Sequence, residues 1–106
     1  MNCILKARML SDLKGVLDSK RYVSTLKKIR DYKPDYGKYL MTVPVEYSLE
    51  LLHLPEMNYD ECCALLTALA CDGRNFRDNY YNGYVLPVLE RMIDLQRSRQ
   101  FGAIAI

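Results

Sequence analysis

Apolar residues recur at helical spacing near the start of the chain, which predicts two amphipathic helices. The first covers residues 3–18 and has its apolar positions at Leu5, Met9, Leu13, Val16 and Leu17. The second begins at Ser19, a residue type that often caps a helix N-terminus. Its apolar stripe is formed by Tyr22, Leu26 and Ile29.

Residues 30–39, "RDYKPDYGKY", interrupt the helical pattern and are predicted to contain a loop over 33–38. Pro34 lacks the N–H that a helix needs and its ring clashes with the preceding turn, and Gly37 follows soon after it. The segment also places tyrosines beside basic residues. Loops that a helical scaffold holds in place often make contacts, so this composition indicates a candidate binding surface.

Residues 41–51, "MTVPVEYSLEL", fit two structures. Their apolar residues occupy every odd position, which is the pattern of a half-buried strand. Pro44 would also suit the first turn of a helix, and the sequence after it has helical propensity. A lone strand cannot satisfy its backbone hydrogen bonds, and only residues 2–9 offer a weak partner strand, so a helix is favoured.

The clearest helix is predicted over residues 58–72, "NYDECCALLTALACD". Asn58 and Glu61 have the spacing of a capping box, and Gly73 follows where a C-terminal glycine belongs. A last helix is predicted over residues 86–99. A kinked long helix or a short preceding helix would explain why its apolar stripe continues backwards through Phe76, Tyr80 and Tyr84.

These elements predict a mainly α fold, a compact bundle of four to five short helices, with a small strand pair around residues 41–51 as the alternative. The chain has the length of one typical domain, and half of its residues are hydrophobic, so residues 1–106 are predicted to form a single helical domain. No apolar run has the length of a membrane span and no signal-peptide pattern is visible. We therefore expect a complete, cytoplasmic protein with no membrane interaction.

Charge divides the chain into two parts, although the net charge is only +2. Residues 1–40 hold ten basic side chains against four aspartates, which is a net +6. Residues 41–106 hold five arginines against nine acidic side chains, which is a net −4. A run of one charge is usually a solvated surface, but the basic part could also bind phosphates or an acidic protein surface.

The basic part and the tyrosine-rich loop supply the candidate partner-binding residues. Lysine and arginine would attract an acidic partner, and tyrosine would anchor a protein interface or stack on bases. A protein partner is favoured over nucleic acid, because the pI of about 8.3 is modest and no base-reading recognition helix is evident. The candidate residues are Lys20, Arg21, Lys27, Lys28, Arg30, Tyr32, Lys33, Tyr36 and Lys38.

The sequence offers no catalytic, cofactor or metal-site motif that would predict an enzyme. Glycine-rich phosphate loops, zinc-protease motifs and serine-hydrolase motifs are all absent. His53 is the only histidine, and the four cysteines form no C-x-x-C pair. Cys62 and Cys63 are adjacent and would point about 100° apart on a helix, so buried free thiols are expected.

We therefore expect a small non-enzymatic protein that binds a macromolecular partner and modulates it, as an inhibitor or an adaptor. Regulators of this size include inhibitors encoded by phages or plasmids. The alternative function is a nucleic-acid-binding regulator that uses the basic N-terminal face. The apolar tail "FGAIAI", residues 101–106, also suggests self-association.

Overall fold

Six α-helices account for most of the chain in a computed structural model that describes the backbone of residues 3–105 and the side chains of residues 4–98. In chain order they are α1 (Cys3–Asp12), α2 (Ser19–Lys28), α3 (Tyr47–His53), α4 (Tyr59–Cys71), α5 (Phe76–Tyr81) and α6 (Leu86–Ala105). Two 3-10 helices, Tyr36–Lys38 and Leu54–Glu56, lie before α3 and directly after it. The radius of gyration is 13.2 Å, as expected of a compact chain of this length.

The predicted fold class, mainly α, is confirmed. The described helices number six instead of four to five, because α5 is a separate short helix before the last one. No strand occurs within residues 3–105, so the alternative strand pair around residues 41–51 is not supported. None of the helices in the described part of the chain is long and apolar enough to cross a membrane. The tail at residues 101–106 lies outside the described side chains.

The first helix is shorter than the predicted span of residues 3–18, because the chain turns after α1. Gly15 has a φ of +83°, a left-handed conformation that glycine adopts without steric cost. The second helix begins at Ser19 as predicted, but the residue that caps it is Asp18. The Asp18 carboxylate accepts hydrogen bonds from the N–H groups of Lys20 and Arg21 at 3.0 and 3.3 Å.

The ambiguous segment at residues 41–51 is a loop in its first half and becomes helical only at α3. Met41 and Val43 are 58% and 79% exposed, so the alternation of apolar residues does not mark a buried face. Instead, Thr42 donates hydrogen bonds from its N–H and its hydroxyl to the buried Glu50 carboxyl group, at 2.8 and 2.9 Å. These bonds hold the loop against α3 without any partner strand.

The central helix α4 is buried around its whole circumference. Each of the residues 62–70 is at most 4% exposed. The predicted capping box is confirmed: Asn58 accepts from the Glu61 N–H at 2.9 Å, and Glu61 accepts from the Asn58 N–H at 3.1 Å. The helices α2 and α6 and the 3-10 helix Tyr36–Lys38 pack against α4. The hydrophobic core is therefore organised around this helix.

A buried carboxylate connects α1, the end of α2 and α4. Asp31 is 2% exposed, its carboxylate lies 2.7 Å from Lys6 Nζ, and it accepts a hydrogen bond from the Tyr59 hydroxyl at 2.6 Å. Lys6 Nζ also lies 4.4 Å from the centre of the Tyr59 ring, which is a cation–π contact. Burial, and then the hydrogen bond to Asp31, raises the pKa of Tyr59.

Replacing Tyr59 with phenylalanine should lower the free energy of unfolding by about 1–3 kcal/mol, because the buried Asp31 carboxylate loses a donor. It should also flatten the alkaline pH dependence of stability. Because the pKa of Tyr59 is raised above 10.0 in the folded protein, the unfolded chain releases this proton first. Wild-type stability should be full below about pH 10 and fall as the pH rises further. Urea denaturation over a pH series measures both effects.

Tyr81→Phe is the matched control for this substitution, because Tyr81 is 69% exposed. It should leave both the stability and its pH dependence unchanged. Equal losses in the two variants would argue against the buried network as the cause.

Candidate partner-binding surface

The predicted basic surface on α2 consists of two rows of cations. Lys20 and Lys27 are seven residues apart, and so are Arg21 and Lys28, which places each pair on one side of the helix about 10 Å apart along its axis. All four side chains are exposed. The opposite side of α2 faces the core with Tyr22 and Leu26, and the C-cap residue Ile29 continues this buried side.

A groove of about 460 Å³ lies between α2 and the C-terminal end of α4. Lys20 and Lys27 border it from α2, and Val23 lies between them in the sequence. Ala70 and Cys71 line it from α4. Ser19 and Ser24 also line it, so the groove combines apolar surface at Val23 with two hydroxyl groups and two ammonium groups. This chemistry fits a segment that carries an apolar side chain and carboxylates.

Tyr32 connects the loop after α2 to this groove. Lys27 Nζ lies 5.0 Å from the centre of the Tyr32 ring, within cation–π distance. Electrostatic interaction with the Cys71 thiol, and a hydrogen bond to it, raise the pKa of Tyr32. The ring itself is half-buried against the core. Tyr32 thus contacts a lysine of the groove, and only part of its own surface reaches solvent.

Arg30 occupies a backbone position that normally favours glycine. Its φ is +64°, in the left-handed region, where a residue with a Cβ costs roughly 1–2 kcal/mol. Two hydrogen bonds close the end of α2 there: the Arg30 N–H donates to the Lys27 carbonyl at 3.2 Å, and the Asp31 N–H donates to the Leu26 carbonyl at 2.8 Å. This is a Schellman motif, in which glycine is the usual residue. The Arg30 side chain is exposed.

A second concavity, of about 480 Å³, lies between α1 and the end of α2. Lys28 and Arg30 line it, together with Lys6 of α1. Because Lys6 is paired with the buried Asp31, the exposed positive charge of this concavity comes from Lys28 and Arg30. The cationic surface therefore extends beyond the groove to the end of α2.

Lys33, another predicted contact residue, is engaged with α4. Its N–H donates to the Thr67 hydroxyl at 3.1 Å, and its Nζ lies 3.6 Å from an Asp60 carboxylate oxygen. The Nζ is also 5.4 Å from the centre of the Tyr39 ring. These contacts fasten the start of the loop to the core, and the Lys33 side chain is half-buried.

Tyr36 and Lys38 lie in the 3-10 helix, apart from the groove lining. Tyr36 is half-buried beside α4, where it lines a small cavity of about 300 Å³. Lys38 is exposed. Among the predicted residues, the structure thus brings three together at the groove and two at the second concavity. The first set is Lys20, Lys27 and Tyr32, and the second is Lys28 and Arg30.

The contribution of α4 to this surface was not predicted from the sequence. Buried thiols were expected, and Cys62 and Cys63 are buried, but Cys71 is exposed. The sequence did contain a signal for the exposure of Cys71, because this residue lies two residues before Gly73, where the helix leaves the core. The side of α2 that meets the end of α4 could not be assigned in advance, since that requires knowledge of how the helices pack.

Within the part of the chain whose side chains are described, no group of three or more His, Cys, Asp or Glu side chains is arranged to hold a metal ion. His53 is instead paired with Glu56, with 3.2 Å between its Nδ1 and the carboxylate.

Comparison with known proteins assigns no family to this chain: no family model matches it, and neither the curated proteins nor the solved structures give a significant match.

Proposed function

We propose that this chain is a non-enzymatic interaction protein that binds an acidic amphipathic segment of a partner protein and thereby modulates it. The observation that supports this proposal best is the groove between α2 and α4. Two lysines, two helical turns apart, flank the apolar side chain of Val23 there. A segment with carboxylates about 10 Å apart, on either side of an apolar side chain, would match both features.

The composition of the groove favours a protein partner over a nucleic acid. A phosphate backbone would satisfy the lysines and the hydroxyls of Ser19 and Ser24 but would offer no apolar group to Val23. Stacking on bases needs open aromatic faces, whereas Tyr32 and Tyr36 are half-buried against the core. Nucleic-acid binding through the same cations is the competing function.

The strained backbone at Arg30 supports a functional role for the end of α2. Glycine would form the same turn without the steric cost of a Cβ, so arginine at this position lowers stability. Costs of this kind are concentrated at binding and catalytic sites. The exposed guanidinium lies beside Lys28, where it would add to the attraction for an acidic partner.

The two buried thiols of α4, those of Cys62 and Cys63, support the non-enzymatic part of the proposal. A catalytic cysteine needs a lowered pKa, so that it is a thiolate at neutral pH. Burial instead raises the pKa of Cys62 to about 11, and burial also raises the pKa of Cys63. Rapid labelling of Cys62 or Cys63 by iodoacetamide in the native protein would argue against this part.

Reversing the two groove lysines should weaken the capture of an acidic amphipathic peptide. The probe is a fluorescent helical peptide of glutamate and leucine, hereafter the Glu/Leu peptide. Lys20→Glu/Lys27→Glu should lower its affinity by roughly tenfold or more, because like charges then face each other across the interface. Fluorescence anisotropy measures the affinity in the full-length protein.

Arg8→Glu/Arg77→Glu is the matched control, because it changes the net charge equally at exposed residues of α1 and α5. Equal weakening by the two double variants would mean that only the net charge matters and that the groove is not the site. A gel-shift series with duplex DNA at increasing salt tests the competing function. A steep linear fall of log affinity with log salt, without binding of the Glu/Leu peptide, would favour nucleic acid.

Arg30→Gly should raise the free energy of unfolding by about 1 kcal/mol and at the same time weaken binding of the Glu/Leu peptide. Glycine removes the left-handed strain, although the greater freedom of the unfolded chain offsets part of the gain. Lys28→Gly, two residues earlier at the last residue of α2, is the control and should destabilise the fold by up to about 1 kcal/mol. Urea denaturation shows whether each substitution raises or lowers the free energy of unfolding. An Arg30→Gly variant less stable than the wild type would refute the assignment of strain.

A further inference from the structure

Four apolar side chains in and before α3 are exposed to solvent instead of entering the core. Val43 and Leu52 are 79% and 80% exposed, and Met41 and Leu49 are 58% and 49% exposed. Leu49 and Leu52 are three residues apart, which places them on one side of α3. Met41, Val43, Leu49 and Leu52 are named the α3 cluster below. Apolar groups concentrated on one exposed segment are typical of an interaction surface.

The α3 cluster is held together by hydrogen bonds around Glu50. Thr42 donates from its N–H and its hydroxyl to one Glu50 oxygen, and the same hydroxyl accepts from the Glu46 N–H at 2.9 Å. The loop that bears Met41 and Val43 is thereby tied to the helix that bears the two leucines. A surface that is already ordered loses little entropy when it binds, which favours tight association.

The exposed ionisable side chains that flank α3 in the sequence are glutamates. No lysine or arginine occurs between Lys38 and Arg74, a stretch that holds six acidic residues. Glu46 directly precedes α3 and is exposed, and the Glu56 side chain, just after α3, is 77% exposed. Arg91 of α6 reaches this part of the chain, but its guanidinium donates to the Met57 carbonyl at 3.1 Å and the residue is half-buried.

We propose that the α3 cluster is a docking surface for a cationic amphipathic segment, such as a helix with leucines on one side and lysines or arginines beside them. The apolar side of that segment would cover Leu49 and Leu52, and its cations would pair with Glu46 and with Glu56, whose carboxylate also lies 3.2 Å from His53 Nδ1. This surface differs in charge from the groove on α2, and the proposal does not rest on the groove. A protein with both surfaces would join an acidic partner to a basic one, which is the action of an adaptor.

A fluorescent helical peptide of lysine and leucine, the Lys/Leu peptide, tests this proposal with the full-length protein. Leu49→Ser/Leu52→Ser should weaken its binding by roughly tenfold or more, because the apolar contact is lost while the net charge is unchanged. Ile4→Ser/Tyr81→Ser is the matched control, since it removes two apolar side chains that are 64% and 69% exposed elsewhere. The control should leave the affinity within about twofold of the wild type.

The glutamates provide a second, independent readout. Glu46→Gln/Glu56→Gln keeps every apolar side chain of the α3 cluster and should weaken the Lys/Leu peptide several-fold at low salt but little at high salt, because salt screens exposed charges. Urea denaturation of each variant separates a loss of binding from a loss of folding.

Three outcomes would overturn the proposal. The first is equal affinity of the wild type and the Leu49→Ser/Leu52→Ser variant for the Lys/Leu peptide. The second is binding of the Glu/Leu peptide that the same variant abolishes, since the surface would then select the opposite charge. The third is a wild-type dimer in analytical ultracentrifugation that dissociates in this variant, since a second copy of the chain would then cover the α3 cluster. None of these outcomes involves the Lys20→Glu/Lys27→Glu variant. A failure of the proposal for the α3 cluster therefore leaves the proposal for the groove on α2 intact.

Discussion

A helix without a polar face has to be covered on every side, and α4 imposes this requirement on the rest of the chain. Residues 62–70 are all buried, and the one hydroxyl among them, on Thr67, donates back to the Cys63 carbonyl at 2.7 Å. The helices α2 and α6 and the 3-10 helix Tyr36–Lys38 supply the cover. Because α2 has to turn its apolar stripe toward α4, its cations face solvent. The exposure of these cations thus follows from the packing of α2 on α4.

Each of the two proposed surfaces adjoins a residue that lowers the stability of the fold. Arg30 has a left-handed backbone beside the exposed Lys28, and Glu50 is fully buried beside the exposed Leu49. One Glu50 oxygen, Oε2, has no hydrogen-bond partner within the described part of the chain, and the same is true of Arg91 Nε and Gln96 Oε1 in α6. A buried polar atom without a partner costs about 1–3 kcal/mol, which is comparable to the cost of a left-handed residue. Local departures from the most stable arrangement are expected where a chain is adapted to binding.

Elements with local signals could be predicted from the sequence, and features that depend on distant contacts could not. Asn58 and Glu61 identify the start of α4 because a capping box needs only neighbouring residues. The alternation at residues 41–51 was ambiguous because the loop there is fixed by the bond from Thr42 to Glu50, which periodicity does not encode. The residues that line the groove divide in the same way. The lysines follow from the helical spacing of α2, whereas the contribution of Cys71 depends on where the end of α4 packs.

If both proposed surfaces bind partners, their influence on each other decides whether the chain would act as an inhibitor or as an adaptor. Both are attached to the C-terminal end of α4, because Cys71 lines the groove and the neighbouring Asp72 accepts a hydrogen bond from Tyr47 of α3 at 3.3 Å. A shared attachment does not couple two sites by itself, since coupling requires an element with two arrangements that both ligands bias. The end of α4 is fastened further by Asn79, which donates to the same Asp72 oxygen at 3.1 Å. We therefore expect the binding free energies at the two surfaces to add, as they do in an adaptor. A changed affinity for the Lys/Leu peptide in the charge-reversed groove variant would show that the end of α4 transmits binding from one surface to the other.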